Sequence, residues 1–359
     1  MNTILTINSG SSSLKASLFM PDGARRDLSY GHIGQGAIGS HAEAFDLLLR
    51  DLGEDRPAAV GHRFVHGGEI ADAARAIDAA ERTRLQGIAH LAPLHMPGNL
   101  LGVDLCAEHF HGVPQVACFD TAFHATLPEL AYRLPIPAEL KLRRFGFHGL
   151  NYAHVAKRLP QLLGSAAGGR IVVAHLGSGA SLCLLENLRS VDTTMGYTPA
   201  GGIPMGTRSG DLDPGVMLEL AGRYGRAELA DMVYHRMGLL ALSGGEASEM
   251  SQLAQSRTPA ARFAVEYFCR QARSAIGSLA AKSGGIDGLV FSGGIGEHSA
   301  PVRALICEPL EFLGIRLDQS ANQAHETVLS AASSKPVLLI PADEEGMIRE
   351  LTEMTVAAF

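Results

Sequence analysis

Cysteine is scarce in this 359-residue sequence, and its five positions (Cys106, Cys118, Cys183, Cys269 and Cys307) include no close pair. That scatter excludes a disulfide framework and a cysteine-based zinc site, and it suits buried thiols in a reducing compartment. No apolar run approaches the length of a membrane span, and Met1-Asn2-Thr3 carries no basic stretch before the first apolar residues. A cytoplasmic protein without a membrane partner is expected. Positive charge is in deficit, with 30 basic against 37 acidic residues and a net charge of −7. No nucleic-acid partner is expected from that balance. A Walker A sequence is missing, which excludes the P-loop class by motif. His62 and His66 have i, i+4 spacing, but the lack of H-E-x-x-H and the Gly67-Gly68 that follows argue against a zinc site. Gly34-Gln35-Gly36-Ala37-Ile38-Gly39 fits G-x-G-x-x-G by letters. No convincing strand pattern is read before it, and Ser40 reads as a helix cap.

What is present is ordinary for a globular chain: 46% hydrophobic and 19% charged residues, at a length that suits two domains with separate cores. Apolar β-rich runs recur at 4–7, 14–19, 113–119, 171–174, 181–185, 289–291 and 337–340. Helical patterns lie between them. Phe45, Leu48, Leu49 and Leu52 fall at helical spacing behind a Ser40…Glu43 capping box. A second helix is predicted over 259–282, stopping at Gly284-Gly285. This alternation implies an α/β fold. One pattern also occurs twice. The run 4–8 enters the turn Ser9-Gly10-Ser11 before a return strand at Leu14, and the run 172–176 enters Gly177-Ser178-Gly179 before Leu182. Two related domains are predicted, each opening with a hairpin whose turn can wrap a phosphate.

Several segments carry chemistry. Asn8 to Lys15 combines hydroxyls, small-residue backbone and one cation, the donor set that phosphate oxygens want, though a hairpin with a polar turn reads the same way. Arg63 follows an apolar run and precedes paired glycines, well placed to grip an anion, with a surface turn as the plain alternative. Asp120 lies just past the run 113–119, where α/β proteins tend to place functional groups. His148 sits in a glycine setting, and Arg208 in a Gly/Ser loop. Gly293-Gly294-Ile295-Gly296-Glu297 follows a strand, so its backbone can approach a nucleotide closely. Asp343-Glu344-Glu345 opens the last helix, where acids are usually dipole partners.

Taken in order, these segments resemble the acetate kinase family, within the superfamily of sugar kinases and actin. The matching stretches are 8–15, 62–69, 92–95, 119–124, 145–149, 175–181, 192–213, 291–299 and 340–345. The resemblance implies an α/β fold of two RNase H-like (actin-like ATPase) domains with an interdomain active-site cleft. The implied boundaries are 1–149 plus a returning helix at 346–359, and 150–345 for the nucleotide-binding domain. It further implies that Asn8 and Glu344 hold Mg2+, with Mn2+ as the alternative ion, and that Lys15 meets the phosphates of ATP or ADP. Arg63 would bind the carboxylate, Asp120 would be the active-site acid, and His148 and Arg208 would stabilise the transition state. His175, Leu176, Gly177, Ser178 and Gly179, with Gly293, Gly294, Ile295, Gly296 and Glu297, would form the nucleotide site. Val65, Leu94, Phe147 and Pro199 match a small apolar pocket for the acyl methyl group. Transfer of a phosphoryl group between ATP and acetate, or propionate, by a homodimer follows from the same likeness. A carboxylate with a pKa near 4.3 is already ionised at neutral pH and needs no general base.

The sequence also departs from the family. The segment between Met20 and Pro57 is shorter than usual, and His175-Leu176-Gly177-Ser178-Gly179 has a hydroxyl where the family has an amide. Pro93-Leu94-His95-Met96-Pro97 has Met where the family has Asn. The Asp-Xaa-Arg of the family's nucleoside site is missing from 245–251. A propionate or butyrate kinase and a non-catalytic nucleotide-binding member of the superfamily are the rival readings.

Overall fold

The computed structural model describes residues 2–10, 13–31, 33–34, 36–93 and 95–358. Ser11, Ser12 and Leu94, singled out above, lie outside the described residues. The chain folds as two compact units, one taking 1–125, 147–154 and 343–359, the other 126–146 and 155–342. A boundary at residue 149 would group 126–146 with the N-terminal part, yet these residues fold with the second unit. The reason is hydrogen bonding. Arg144 Nη1 donates to the carbonyls of Thr193 and Thr194 at 2.9 Å each, and Thr126 Oγ1 donates to Ser190 O at 2.8 Å.

The first unit contains strands β1 (Ile4–Ser9), β2 (Leu14–Phe19), β3 (Arg25–Tyr30), β4 (Ala59–Phe64), β5 (Ala74–Ala76) and β6 (Gln115–Phe119). They form one sheet in the order β3-β2-β1-β4-β6-β5. The pairs β1/β2 and β2/β3 are antiparallel, whereas β1/β4 and β4/β6 are parallel. Helix His41–Leu52 begins as its capping box predicts, with Ser40 Oγ accepting from Glu43 N. The returning Glu43 carboxylate reaches Gly39 N, one residue earlier than the box pattern places it.

Strand alternation sorts the side chains of this sheet into two faces. Ile7 stands beside His62, so Asn8 stands beside Arg63 on the opposite face, and Arg63 is in turn level with Cys118. Helix Met96–His109 covers the Ile7 and His62 face, where its Asn99 donates to Ser9 O at 3.1 Å. Helix Glu344–Val356 covers the other face, where Cys118 Sγ lies 3.8 Å from Ile348 O. That helix comes so close to β4 that a Cβ on Gly61 would collide with Thr352 Oγ1 and lie 2.6 Å from Ile348 Cγ2.

The second unit has β7 (Ile171–Leu176), β8 (Ala180–Glu186), β9 (Arg189–Thr193), β10 (Gly288–Ser292) and β11 (Val337–Leu339), in the order β11-β10-β7-β8-β9. Here β7/β8 and β8/β9 are antiparallel, and β10 runs parallel to both β7 and β11. Read from β9, this is the same pattern as β3-β2-β1-β4-β6: a three-strand meander continued by two parallel strands. The echo seen in the sequence is a repeat of topology. Helix Pro259–Ser283 starts at Thr258, whose hydroxyl accepts from Ala261 N, and stops at left-handed Gly284 (φ 70°).

Because Gly61 admits the helix Glu344–Val356, Gly61→Val should destabilise the protein by about 1–3 kcal/mol through overpacking. A urea unfolding midpoint equal to that of the wild type would show that the helix does not press on β4.

Candidate active site

Asn8, Arg63 and Asp120 stand at the carboxyl ends of β1, β4 and β6, three neighbouring parallel strands, and the register puts all three on one face. Sheet ends of this kind gather functional groups because the strands stop together and loops can open above them. Arg63 donates from Nε (3.0 Å) and Nη2 (2.6 Å) to Asp120 Oδ2, and from Nη1 to Asn8 Oδ1 at 3.1 Å. Three of its five N–H groups are used in this way, leaving two for a ligand. Asn8 Nδ2 donates to Glu344 Oε2 at 3.0 Å and to Glu345 Oε1 at 3.2 Å. Glu344 Oε2 also lies 3.8 Å from Arg63 Nε. The first turn of the closing helix therefore delivers two carboxylates onto one amide.

Burial opposes the charge on Arg63, but Asp120, Glu344 and Glu345 outweigh it and hold the guanidinium protonated. Asp120 has no solvent exposure. Burial, against the pull of Arg63 and with help from Glu344, pushes its carboxyl up to about 6. Its Oδ1 is buried and has no hydrogen-bond partner among the described residues. The Arg63 guanidinium thus faces Asp120, Glu344 and Glu345, of which Glu345 also lies 3.9 Å from Arg25 Nη2, and a divalent cation would balance the remaining negative charge. Among the described residues no three His, Cys, Asp or Glu side chains form a cage. Mg2+ is commonly held by one or two carboxylates with water and substrate phosphates, and the unpartnered Asp120 Oδ1 is an oxygen of that kind.

The loops around this cluster carry the other first-unit candidates. Val65 and Phe147 are buried, and the Phe147 ring meets His66 edge-on at 5.6 Å between centroids. His124 Nε2 lies 2.9 Å from Phe147 O. His148 is left-handed (φ 59°), an uncommon conformation for a residue with a Cβ, and the next residue, Gly149, donates its N–H to Asp120 O at 2.9 Å. Lys15 is opposite Asn8 across β1/β2, which places it on the same face, and it is exposed. His62 is bonded to Gln115 Oε1 at 2.6 Å, and burial pulls its imidazole down to about 4.

In the second unit two turns come together at the ends of β7 and β10. Gly293 (φ 77°) lies so close that a Cβ there would sit 2.8 Å from Leu176 O, and only glycine fits. His175 and Leu176 end β7, and Gly177, Ser178 and Gly179 form the turn into β8. Gly294, Ile295, Gly296 and Glu297 continue into the short helix Gly293–His298. Gly206 N donates to Ser178 O at 3.2 Å, which joins the loop carrying Arg208 to the same turn. Arg208 Nη1 donates to Pro199 O at 2.6 Å, so these two candidates meet. Glu297 turns inward instead, its Oε1 accepting from Ala342 N at 2.9 Å. At the place of the missing Asp-Xaa-Arg, Gly244 (φ 70°) and Gly245 (φ 87°) make a tight reversal, and exposed Glu246 Oε2 accepts from Thr258 Oγ1 at 2.5 Å. Glu345 is the residue that sequence reasoning left without a role. Its neighbour Glu344 was the signal, but successive helical residues point in different directions, so only the fold reveals that both reach Asn8.

Comparison with known proteins gives a consistent result. The model of the acetokinase family matches residues 30–350. An acetate kinase of Nitrobacter hamburgensis is 41% identical over 387 residues, covering 98% of this chain and 96% of that protein. A propionate kinase of Citrobacter rodentium is 40% identical, covering 99% of this chain and 97% of that protein. The first alignment is longer than this chain, so the relative has residues with no counterpart here. Among solved structures, a propionate kinase from Francisella tularensis superposes with a TM-score of 0.89 at 31% identity, covering 99% of this chain and all (100%) of that one. Acetate kinase of Porphyromonas gingivalis gives 0.84 at 32% identity, covering 99% and 100%. With the repeated strand order and the Asn8, Arg63, Asp120 and Glu344 constellation in place, the chain belongs to the acetokinase family.

Proposed function

We propose that this chain is an acetate kinase, moving the γ-phosphoryl group of ATP reversibly to the carboxylate of acetate and giving acetyl phosphate and ADP. The observation that carries the reading is Arg63: a guanidinium anchored on Asp120, with two N–H groups to spare, two residues before buried Val65. A forked cation beside apolar side chains suits a short carboxylate with a small alkyl end. Acetate is ionised at neutral pH, so Asp120 has no proton to remove from it. Its role is to hold Arg63 and to keep one oxygen free for a cation. The remaining obstacle is repulsion between two anions. Arg63, Arg208, His148 and Lys15 supply positive charge and donors for the acceptor carboxylate and the transferring group, and transfer is direct and in line. Asn8, Asp120 and Glu344 would hold Mg2+, or Mn2+ in its place. That ion would supply charge neutralisation on the phosphoryl oxygens. The turns 175–179 and 293–296 would offer backbone N–H groups to the donor phosphates.

Arg63 and the nearby apolar side chains also answer the rival of a non-catalytic nucleotide-binding protein, which has no use for them. Propionate is the natural second acceptor to test, since one methylene is worth only about 1–3 kcal/mol. The five cysteines are all buried and unpaired, which suits a cytoplasmic protein. No helix among the described residues is long and apolar enough to cross a membrane. Exposed Leu130, Leu140, Leu218 and Phe263 offer apolar surface that a second copy would cover in a homodimer.

In a hydroxamate assay the wild type should form acetyl hydroxamate with ATP, more efficiently than the propionyl or butyryl product. No acyl hydroxamate with any acceptor or donor would sink the assignment. Arg208→Ala should lower kcat by about 10³-fold, as loss of a transition-state arginine does elsewhere. Arg63→Ala should raise the KM for acetate by a larger factor than the KM for ATP.

The raised carboxyl of Asp120 gives a separate readout. A carboxyl whose pKa rises on folding to about 6 binds more protons folded than unfolded between pH ~4 and ~6. Its contribution to stability is therefore full below that window, falls as pH rises through it, and is level above. A cation bound beside the carboxylate reverses the loss. Mg2+ should raise the Tm more at pH 7.5 than at pH 5, and Asp120→Asn should remove most of the difference. Equal Mg2+ shifts at both pH values would argue against Asp120 as part of the cation site.

A further inference from the structure

Arg303, in helix Ala300–Cys307, has no solvent exposure and, among the described residues, no carboxylate partner. Its Nε donates to Asn322 Oδ1 at 2.7 Å, and its Nη1 to the carbonyls of Gly296 (2.8 Å) and Glu297 (2.9 Å). Its Nη2 donates to Asn322 O at 2.7 Å and faces His325 Nδ1 at 3.2 Å. Four of its five N–H groups are thus directed at uncharged oxygen acceptors, and the fifth faces the His325 ring nitrogen. Asn322 is itself fixed, donating from Nδ2 to Ala300 O at 3.0 Å. His325 Nδ1 also lies 2.8 Å from Glu297 O, so one proton on that nitrogen decides which of its two contacts is a hydrogen bond.

A buried cation without a counter-ion is a costly way to hold a fold together, and apolar packing of similar volume is often at least as stable. Burial pulls the pKa of this guanidinium down, the mark of an uncompensated charge. What it grips explains the arrangement. Gly296 and Glu297 end the glycine segment that begins at Gly293, the residue wedged against Leu176 O. The segment is too rich in glycine to hold its own shape, and its last carbonyls form the negative end of a short helical dipole. A guanidinium fork can meet two carbonyls on one nitrogen while its other edge is anchored on Asn322. An ammonium, with three donors at one point, cannot span both sides.

We propose that Arg303 is a positioning residue for the phosphoryl donor: it clamps the segment 293–297 at its carbonyl end, through Gly296 O and Glu297 O, and holds its backbone in the donor-binding shape. The proposal rests on the reading of 293–297 as a donor segment. It predicts a selective defect, because the acceptor groups Arg63 and Asp120 are not among the contacts of Arg303.

The test is ADP binding by calorimetry, with KM for ATP and acetate, on wild type, Arg303→Met, Arg303→Lys and His325→Ala. Arg303→Met should weaken ADP binding and raise the KM for ATP by about 10- to 100-fold, the scale of a misplacement near 1 Å, with the KM for acetate unmoved. Arg303→Lys should recover part of that loss. His325→Ala alters an exposed side chain and should show the same selectivity at smaller size, so it decides the question if Arg303→Met does not fold. Folded variants that bind ADP as the wild type does, or that lose both substrates equally, overturn the clamp. A wild type that binds no ADP removes the donor-segment reading and the clamp with it.

Discussion

The pairing of Arg63 with Asp120 is the constraint around which the first unit is organised. Both side chains are withdrawn from water, and a buried charge stripped of its partner costs about 3–5 kcal/mol. The pair is not a cheap source of stability, since apolar side chains could fill the same space. It makes sense as a fixed cation with donors to spare. Everything near it preserves that state. Parallel pairing of β1, β4 and β6 brings Asn8, Arg63 and Asp120 onto one face at neighbouring strand ends, and Gly61 lets the closing helix come down on the sheet. The first turn of that helix then adds Glu344 and Glu345 on Asn8, with Arg25 pairing Glu345 from outside.

The second unit solves a different problem with the same strand order. The elements proposed to meet the donor are backbone rather than side chain: a turn at 177–179 and a glycine segment at 293–296, the latter pressed against Leu176 because Gly293 has no Cβ. Backbone N–H groups suit phosphate oxygens, but glycine-rich chain is floppy and needs an external frame. Arg303, Asn322 and the inward-turned Glu297 make up that frame. On the proposed reading, one unit offers charged side chains held by an ion pair, the other main chain held by a buried cation. The repeat is one of topology, and the chemistry at the strand ends has diverged.

Much of this was legible from the residues in order. Strand runs, the cap at Ser40, the stop at Gly284 and the doubled hairpin are local properties, set by alternation, helical spacing and the φ that glycine permits. The candidate residues could be named because small motifs of Arg, Asp, His and Gly recur at strand ends in a fixed order along the whole chain. What could not be read was which side chain answers which. Glu297 reads as a ligand residue in its motif, and the fold adds that its Oε1 accepts from Ala342 N. Glu345 looks like a dipole partner and instead reaches Asn8. Residues 126–146 belong by position to the N-terminal half and by hydrogen bonding to the second unit.

The sequence alone determined the α/β class, the repeat, the absence of a P-loop and the list of groups able to handle two anions, because composition and short-range spacing carry that information. Tertiary structure alone decided that Arg63 spends three donors on Asp120 and Asn8, that Asp120 keeps one buried oxygen unpaired, and that Arg303 serves the segment at 293. Those outcomes depend on contacts between residues that are often tens to hundreds of positions apart. No local pattern encodes them, since strand register and helix packing, not sequence neighbours, choose which buried polar groups must satisfy one another.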